Sequence, residues 1–328
     1  MLCNCLVYLP DRYDHQQRLL PYVLSFVNDT SLEVQRAALE CIEKCGWQYE
    51  QEHPDDVIER LQLGIDGDDT IDYNNGLPSP FTSRPGLGAR LFVRSNTSRF
   101  YLAILGELSN WKAQTRKRSA DLLLILTVYC EEHLTKDFQH TINAIAKAIE
   151  IETKAESESA HLQILDTICQ VVRLMSKYID PAAYIPLVSP RILGDSSSST
   201  SYADDGSHSE KSRHSHVIIL SSLIQGAPLH RLVPYWQKMV SLLENCIGVY
   251  VGSTIQSSAL NALSNLTDKI LCKNDMNVLI TYLRETGRVS ETRSALVACQ
   301  DILLQDDNPA SKECANKISQ IVCCVNQN

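Results

Sequence analysis

The sequence has little of several features that would each point to a class of protein. Aromatic residues make up only 6% of the 328 residues, and 30 basic residues face 39 acidic ones, for a net charge of −9. A negative chain argues against a phosphate backbone as the main partner, so we expect no nucleic-acid binding. No apolar run is long enough to cross a membrane, and residues 2–9 are too short for a signal peptide and carry no basic lead. We expect a cytosolic or nuclear protein.

The motifs of enzymes and metal sites are also missing. We find no Gly-rich phosphate loop, no Gly-x-Ser-x-Gly elbow, no His-Glu-x-x-His and, among the 12 cysteines, no Cys-x-x-Cys pair. Cys41 and Cys45 lie four residues apart on an apolar helical face, which is typical of reduced, buried thiols. We expect a non-enzymatic protein without cofactor or metal. The alternative is an enzyme whose site lies between repeats, which predicts a deep polar pocket with convergent titratable groups.

Apolar residues recur at helical spacing along most of the chain. Residues 19–45 and 98–130 each form two apolar helices joined by a short polar turn. Roughly five to six such pairs follow a period near 40 residues, as in HEAT or armadillo repeats, and the residue pattern of 34-residue tetratricopeptide repeats is absent. The pattern predicts an all-α protein, an α-solenoid of HEAT/armadillo-like helical pairs. Such a fold presents surface to partners.

Composition divides the array into segments. We assign residues 1–63 to HEAT-type helical repeats, 64–90 to a linker or long loop rich in Gly, Asp and Pro, and 91–328 to further HEAT-type repeats. A Ser-rich insert at 195–215 interrupts the last segment. The helical remnant at the start lacks a polar cap, so we expect the true amino terminus to lie further upstream. The last predicted pair is 276–304, which leaves 310–325 without a mate.

An acid or amide in a helical turn, followed by a β-branched residue and a base, occurs twice. The first case is Asp29, Val34 and Arg36, and the second is Asn110 with Arg116. In HEAT repeats such a turn oxygen accepts hydrogen bonds from the base and from backbone donors, which forms a ladder between repeats. We therefore predict a structural ladder at these residues, with a role in stability.

A basic cluster stands out on the otherwise acidic chain. It comprises Lys112, Arg116, Lys117 and Arg118. Lys112, Lys117 and Arg118 are candidates for binding an acidic segment of a partner, and a solvated helix start is the alternative. Three tryptophans are candidates either for interface anchors or for packing between repeats. They are Trp47, Trp111 and Trp236.

One stretch resembles a known family. It reads Arg84-Pro85-Gly86-Leu87-Gly88-Ala89-Arg90, continues with Phe92-Val93-Arg94-Ser95, Trp111, Thr115-Arg116, Ser119-Ala120 and Leu122 to Leu124, and ends with Glu131 to Thr135. Together with the earlier run Gly46-Trp47-Gln48-Tyr49-Glu50, it resembles the HEAT-repeat dynein axonemal assembly factors. The likeness extends over about residues 15–135 and then fades to the repeat rhythm alone.

The resemblance implies a cytoplasmic factor that preassembles axonemal dynein arms for motile cilia. Its partners would be dynein intermediate and heavy chains, other assembly factors and chaperones. Family members are longer, so the chain would correspond to a carboxy-terminal portion, and the family has no catalytic residues to transfer. The alternative within binding proteins is a HEAT-repeat adaptor for nuclear transport or for a phosphatase complex.

Overall fold

Helices joined by short turns make up most of the described residues. A computed structural model describes residues 1–62, 67, 70–154, 159–194, 206–271 and 275–327. The helices form two units, of which the first comprises residues 1–178 and the second residues 179–328. No strand occurs in these described ranges. None of the helices described is long and apolar enough to cross a membrane.

The first unit is built from helical pairs. Its helices are α1 (Leu2–Tyr8), α2 (Arg12–Phe26), α3 (Leu32–Glu52), α4 (Pro54–Gln62), α5 (Leu87–Thr97), α6 (Tyr101–Glu107), α7 (Ala113–Cys130), α8 (Phe138–Lys154) and α9 (Ser159–Met175), with a 3₁₀ helix at Glu131–Asp137. α2 packs on α3, α6 on α7 and α8 on α9, while α3, α5, α7 and α9 form a row of neighbours. The first unit is therefore a stack of pairs with α5 inserted between α3 and α7.

The second unit has a more regular two-layer arrangement. Its helices are α10 (Pro181–Leu193), α11 (Gly206–Gly226), α12 (Leu229–Leu232), α13 (Trp236–Val249), α14 (Thr254–Leu271), α15 (Asp275–Glu285), α16 (Val289–Gln305) and α17 (Pro309–Gln327), with a 3₁₀ turn at Val233–Tyr235. One layer contains α10, α13 and α16, and the other contains α11, α14 and α17. Each helix of the first layer packs on the next helix of the second. The predicted α-solenoid of HEAT/armadillo-like pairs is confirmed.

Local sequence explains the ends of α10. The side chain of Asp180 accepts a hydrogen bond from the backbone N–H of Ala182 at 2.7 Å, and Pro181 occupies the first helical position, where its missing N–H costs nothing. Gly194 ends the helix with φ of 80°, a left-handed conformation that glycine adopts without strain. α10 is thus bounded by an Asp-Pro start and a Gly stop.

The structure differs from the sequence analysis in three places. α5 begins at Leu87, inside the segment predicted as linker, and α11 begins at Gly206, inside the predicted Ser-rich insert. Residues 195–205 of that insert, and residues 63–66 and 68–69 of the linker, lie outside the described residues. α16 packs mainly on α17, whereas the sequence analysis paired it with the helix before it.

Candidate functional site

Three arginine side chains converge on one carboxylate. Two belong to the Arg84–Arg90 motif, and the third lies one turn further along α5. Arg84 donates to the two oxygens of Glu131 from Nε and Nη2, both at 2.7 Å. Arg90 and Arg94 donate to Oε2 of the same residue at 3.2 and 2.9 Å. The Glu131 side chain is 1% exposed, so the carboxylate is held entirely by protein donors. We call Arg84, Arg90, Arg94 and Glu131 the arginine cluster.

The backbone at Glu131 is unusual. The residue has φ of 47° and ψ of −126°, a region that L residues rarely occupy. It lies where α7 ends and the 3₁₀ helix begins, so the turn aims the side chain at the start of α5. A non-glycine residue in such a conformation costs on the order of 1 to 3 kcal/mol. The ion pairs must offset that cost.

A second carboxylate extends the cluster to α4. Glu132 Oε1 accepts from Arg94 Nη1 at 2.9 Å and from Arg60 Nη1 at 2.6 Å. Burial disfavours the ionised form of Glu132, but the charge of Arg94 and the hydrogen bond from Arg60 outweigh it and lower the pKa of Glu132. Four guanidinium groups and two carboxylates thereby join α4, α5 and the end of α7.

The segment before α5 is fixed to the same region. The guanidinium of Arg84 lies 3.6 Å from the ring centroid of Tyr73, and its backbone N–H donates to the side chain of Asn74 at 2.8 Å. Lys177, just after α9, donates to the carbonyl oxygens of Asp72 and Asn75. The described part of the predicted linker is therefore held by specific contacts.

α3 and α5 approach each other through glycine. A Cβ added to Gly46 would collide with the backbone of Ala89, and one added to Gly88 would collide with the carbonyl of Gly46. The Glu50 side chain accepts from the N–H of Gly88 at 2.7 Å, at the first turn of α5, where backbone donors lack helical partners. The two runs that carried the family resemblance therefore pack against each other.

The predicted ladder takes a different form at each of its two sites. Arg116 is buried and donates from Nε to Glu152 Oε1 at 2.5 Å, and from Nη1 to the carbonyl oxygens of Asn110 and Trp111 at 2.9 and 3.2 Å. The side chain of Asn110 accepts from the N–H of Lys112 instead. The base thus binds the turn through backbone oxygens. It binds the neighbouring pair through a carboxylate of α8, which the sequence analysis did not identify.

At the first ladder site the structure brings the three residues less close. Asp29 Oδ1 accepts from the N–H of Ser31 at 2.9 Å, and its carbonyl accepts from the Gln35 side chain at 2.7 Å. Val34 and Arg36 are exposed on α3, and the described contacts include no hydrogen bond between Arg36 and Asp29. Asp29 therefore organises its own turn.

The residues of the predicted basic cluster differ in burial. Arg116 is buried in its ion pair, whereas Lys112, Lys117 and Arg118 are exposed at the start of α7. Trp111, next to them, is 83% exposed. Packing accounts for Trp236, which is 2% exposed, but not for Trp111 or for Trp47, which is 63% exposed.

One cavity, of about 160 Å³, lies between α2, α3 and α5. Arg12 pairs with Glu52 across it. Burial and the hydrogen bond to Asp56 raise the pKa of Tyr49 to about 12. A hydrogen bond with Cys41 lowers the pKa of the Cys45 thiol. The Cys45 thiol is hydrogen-bonded to the Cys41 thiol and not to a base. Among the described residues that line this cavity, it therefore has no base of the kind that covalent catalysis requires.

Stacked helical pairs joined by buried ion pairs define a HEAT-type α-solenoid, a class of repeat protein that presents surface to partners. The chain belongs to the dynein axonemal assembly factor 5 family, whose sequence model for the HEAT-repeat domain matches residues 77–284. The resemblance read from the Arg84–Arg90 motif is thereby confirmed. A second model, described as dynein axonemal assembly factor 5-like TPR repeats, matches residues 1–60. The HEAT-type assignment of residues 1–63 stays a prediction.

Curated relatives of this chain carry the name of that family. Dynein axonemal assembly factor 5 of Xenopus laevis is 26% identical over 292 residues, which are 85% of this chain and 30% of that protein. The Mus musculus protein is 24% identical over 326 residues, 95% of this chain and 34% of its own length. The chain thus spans about a third of the length of these relatives. A solved Kap121p mutant matches at a TM-score of 0.40 and 13% identity, covering 98% of this chain and 37% of that one.

Proposed function

We propose that this chain is part of a non-enzymatic scaffold for the cytoplasmic preassembly of axonemal dynein arms. Its partners would be dynein intermediate and heavy chains, other assembly factors and chaperones, and motile cilia would depend on it. The observation that carries the proposal is the match of residues 77–284 to the HEAT-repeat domain of dynein axonemal assembly factor 5. Relatives of that name align with up to 95% of the chain.

The distribution of charge supports a division between stability and binding. The buried charges form ion pairs with one another, between Arg116 and Glu152 and within the arginine cluster. We infer that Arg116 ties two repeats together, and that the exposed cations Lys112, Lys117 and Arg118 are left for partners. Scaffolds of this architecture bind through such extended surfaces rather than through a closed pocket.

Affinity capture from ciliated cells tests the proposal. We expect the tagged protein, expressed in place of the native one, to recover dynein intermediate and heavy chains from the cytoplasmic fraction. Recovery of nuclear-transport cargo or a phosphatase catalytic subunit without any dynein chain would refute the proposal in favour of the adaptor alternative.

Loss of the gene provides a second, independent readout. We expect axonemes in cells lacking the protein to have missing or reduced dynein arms by electron microscopy, because the arms would not be assembled before transport. Re-expression should restore the arms. Intact arms in the absence of the protein would contradict the proposed role even if dynein chains were recovered by capture.

A further inference from the structure

The start of α7 carries an exposed group of one aromatic and three basic side chains. They are Trp111, Lys112, Lys117 and Arg118, which we call the α7 patch. The patch belongs wholly to the first unit, and all four residues are described and exposed. The fold gives them no packing role, since Trp111 keeps 83% of its surface accessible. Tryptophan is enriched among the residues that anchor protein interfaces, which makes the exposed Trp111 a candidate anchor.

We propose that the α7 patch binds an acidic segment of a protein partner, with Trp111 as the apolar anchor and the three cations as its electrostatic rim. The proposal rests on the scaffold function above and names the chemistry of one of its partners.

Electrostatics favours an acidic occupant. Lys112 is the N-cap residue of α7 and Lys117 and Arg118 lie in its first two turns, so the three residues span about 9 Å along the helix axis. The first turn of α7 contains no acidic residue, and the positive end of the helix dipole adds to the three charges. On a chain with a net charge of −9, this concentration of positive charge is local.

The acids near the patch make no ion pair with its cations among the described residues. Glu107 is bonded to the side chain of Asn110 at 2.6 Å. Asp121 lies near Lys117, and burial raises the pKa of Asp121 even though the charge of Lys117 acts in the opposite direction. Lys117 also reaches the side chain of Gln163 on α9 at 3.4 Å, a neutral partner. The carboxylates of an incoming segment would therefore meet three cations that have no ion-pair partner among the described residues.

Trp111 supplies the apolar contact that such a segment would need to be bound specifically. The ammonium group of Lys112 lies 4.8 Å from the Trp111 ring centroid, which keeps a cation at the aromatic surface. Leu162, which precedes Gln163 on α9, is 63% exposed. An acidic segment with apolar side chains between its carboxylates fits this surface. A nucleic acid would also present negative charge to the patch, and the oligonucleotide in the experiment below distinguishes it from a peptide.

Charge reversal with a matched control tests the inference. The test variant is Lys112→Glu/Lys117→Glu/Arg118→Glu. The control is Arg99→Glu/Lys147→Glu/Lys154→Glu, which reverses three exposed cations elsewhere in the same unit. The probe is a fluorescein-labelled peptide in which Glu and Leu alternate with Gly-Ser spacers, followed by fluorescence anisotropy. A peptide with Gln in place of each Glu, and a single-stranded oligonucleotide, are the comparison ligands.

We expect the wild-type protein and the control variant to bind the Glu peptide with similar affinity, and the test variant to bind it at least tenfold more weakly. Trp111→Ala should weaken binding about tenfold, as truncation of an aromatic anchor does. Added salt should weaken binding further, because exposed charges are screened. Equal binding by the test and control variants would overturn the inference. So would a preference for the Gln peptide or for the oligonucleotide.

The two proposals fail in different ways. If the test variant binds the Glu peptide as wild type does, while the protein still recovers dynein chains from cells, the α7 patch is refuted and the scaffold stands. If the peptide result is as expected but no dynein chain is recovered, the scaffold proposal fails. Loss of dynein recovery in the test variant but not in the control variant would support both.

Discussion

Replacing Glu131 should destabilise the first unit more than any exposed carboxylate can. Glu131→Gln keeps the size of the side chain and one carbonyl oxygen, but removes the charge that Arg84, Arg90 and Arg94 share. Two of these guanidinium groups are only 3% and 4% exposed, so water cannot replace the lost carboxylate. Removing one partner of a buried ion pair costs roughly 3 to 5 kcal/mol.

The amide should place Glu131→Gln near the lower end of that range, at about 3 kcal/mol. For a unit the size of residues 1–178, each kcal/mol lowers the melting temperature by about 2 to 4 °C. The expected decrease is therefore roughly 6 to 12 °C. Glu33→Gln, an exposed residue of α3, is the matched control, and we expect it to change stability by less than about 0.5 kcal/mol.

The positive φ of Glu131 allows the backbone and the charge to be separated. Glu131→Ala removes the ion pairs but keeps the strain at φ of 47°, whereas Glu131→Gly removes both. The glycine variant should therefore be more stable than the alanine variant, by about 1 to 3 kcal/mol. At an ordinary helical position the order is reversed, because glycine is the weaker helix former.

Hydrogen exchange followed by mass spectrometry locates the effect. We expect peptides from α5 and from residues 131–137 to lose protection in Glu131→Gln, while peptides from α14 in the second unit keep theirs. Scanning calorimetry gives the magnitude. Wild-type stability in Glu131→Gln, or an alanine variant more stable than the glycine variant, would refute the reasoning about the charge and about the backbone, respectively.

Three further predictions concern other contacts. Arg116→Ala should lower stability by about 3 kcal/mol, seen as a lower melting temperature, because the buried carboxylate of Glu152 loses its guanidinium partner and keeps its contact with His161. Gly88→Ala should cost at least about 2 kcal/mol in urea unfolding, since its Cβ would meet the backbone of Gly46. Burial lowers the pKa of His216 to about 4, so the folded protein binds a proton at this residue less readily than the unfolded chain does. The free energy of unfolding should therefore be unaffected by this histidine above about pH 6.5 and should fall by roughly 3 kcal/mol as the pH decreases toward 4. His216→Gln should flatten the pH dependence of urea unfolding over that range.

Each of these predictions has a control in the same chain. Lys117→Ala, next to Arg116 but exposed, should leave the melting temperature nearly unchanged. Gly106→Ala, in a helix where an added Cβ meets nothing within 4 Å, should stabilise by about 0.5 to 1 kcal/mol. His230→Gln, at an exposed position, should keep the wild-type slope between pH 6.5 and 4. Test and control variants that behave alike would contradict the contact in question.

Periodicity was a good guide to the helical pairs and a poor one to α5. The pairs α2–α3 and α8–α9 have apolar faces at helical spacing, which one-dimensional reading detects. Gly86 caps α5 and Gly88 lies in its first turn, and the buried residues of the helix include Arg90 and Arg94, a residue type that is rarely buried without a charged partner. Its burial depends on the carboxylates that reach it from elsewhere. Nothing within the segment itself indicates them.

The same limit applies to the site. The turn pattern predicts a structural role for Arg116, but its partner Glu152 lies 36 positions away and only the fold brings the two together. Glu131 belongs to the last run of the stretch that resembles the family, and its positive φ cannot be read from residue type. Sequence also does not show which basic residues are exposed, because Lys117 and Arg116 are adjacent in sequence although the first is exposed and the second is buried.

The glycine contact between α3 and α5 also has a mechanical meaning. Most helix contacts pass through side chains, which adjust their rotamers and absorb small displacements, whereas two backbones in direct contact have nothing between them to yield. Gly46 is followed by the exposed Trp47, and α5 carries Arg90 and Arg94. A displacement of α3 at Gly46 would therefore carry α5 with it, and through Arg90 and Arg94 the end of α7, with no side chain at the contact between α3 and α5 to absorb the motion.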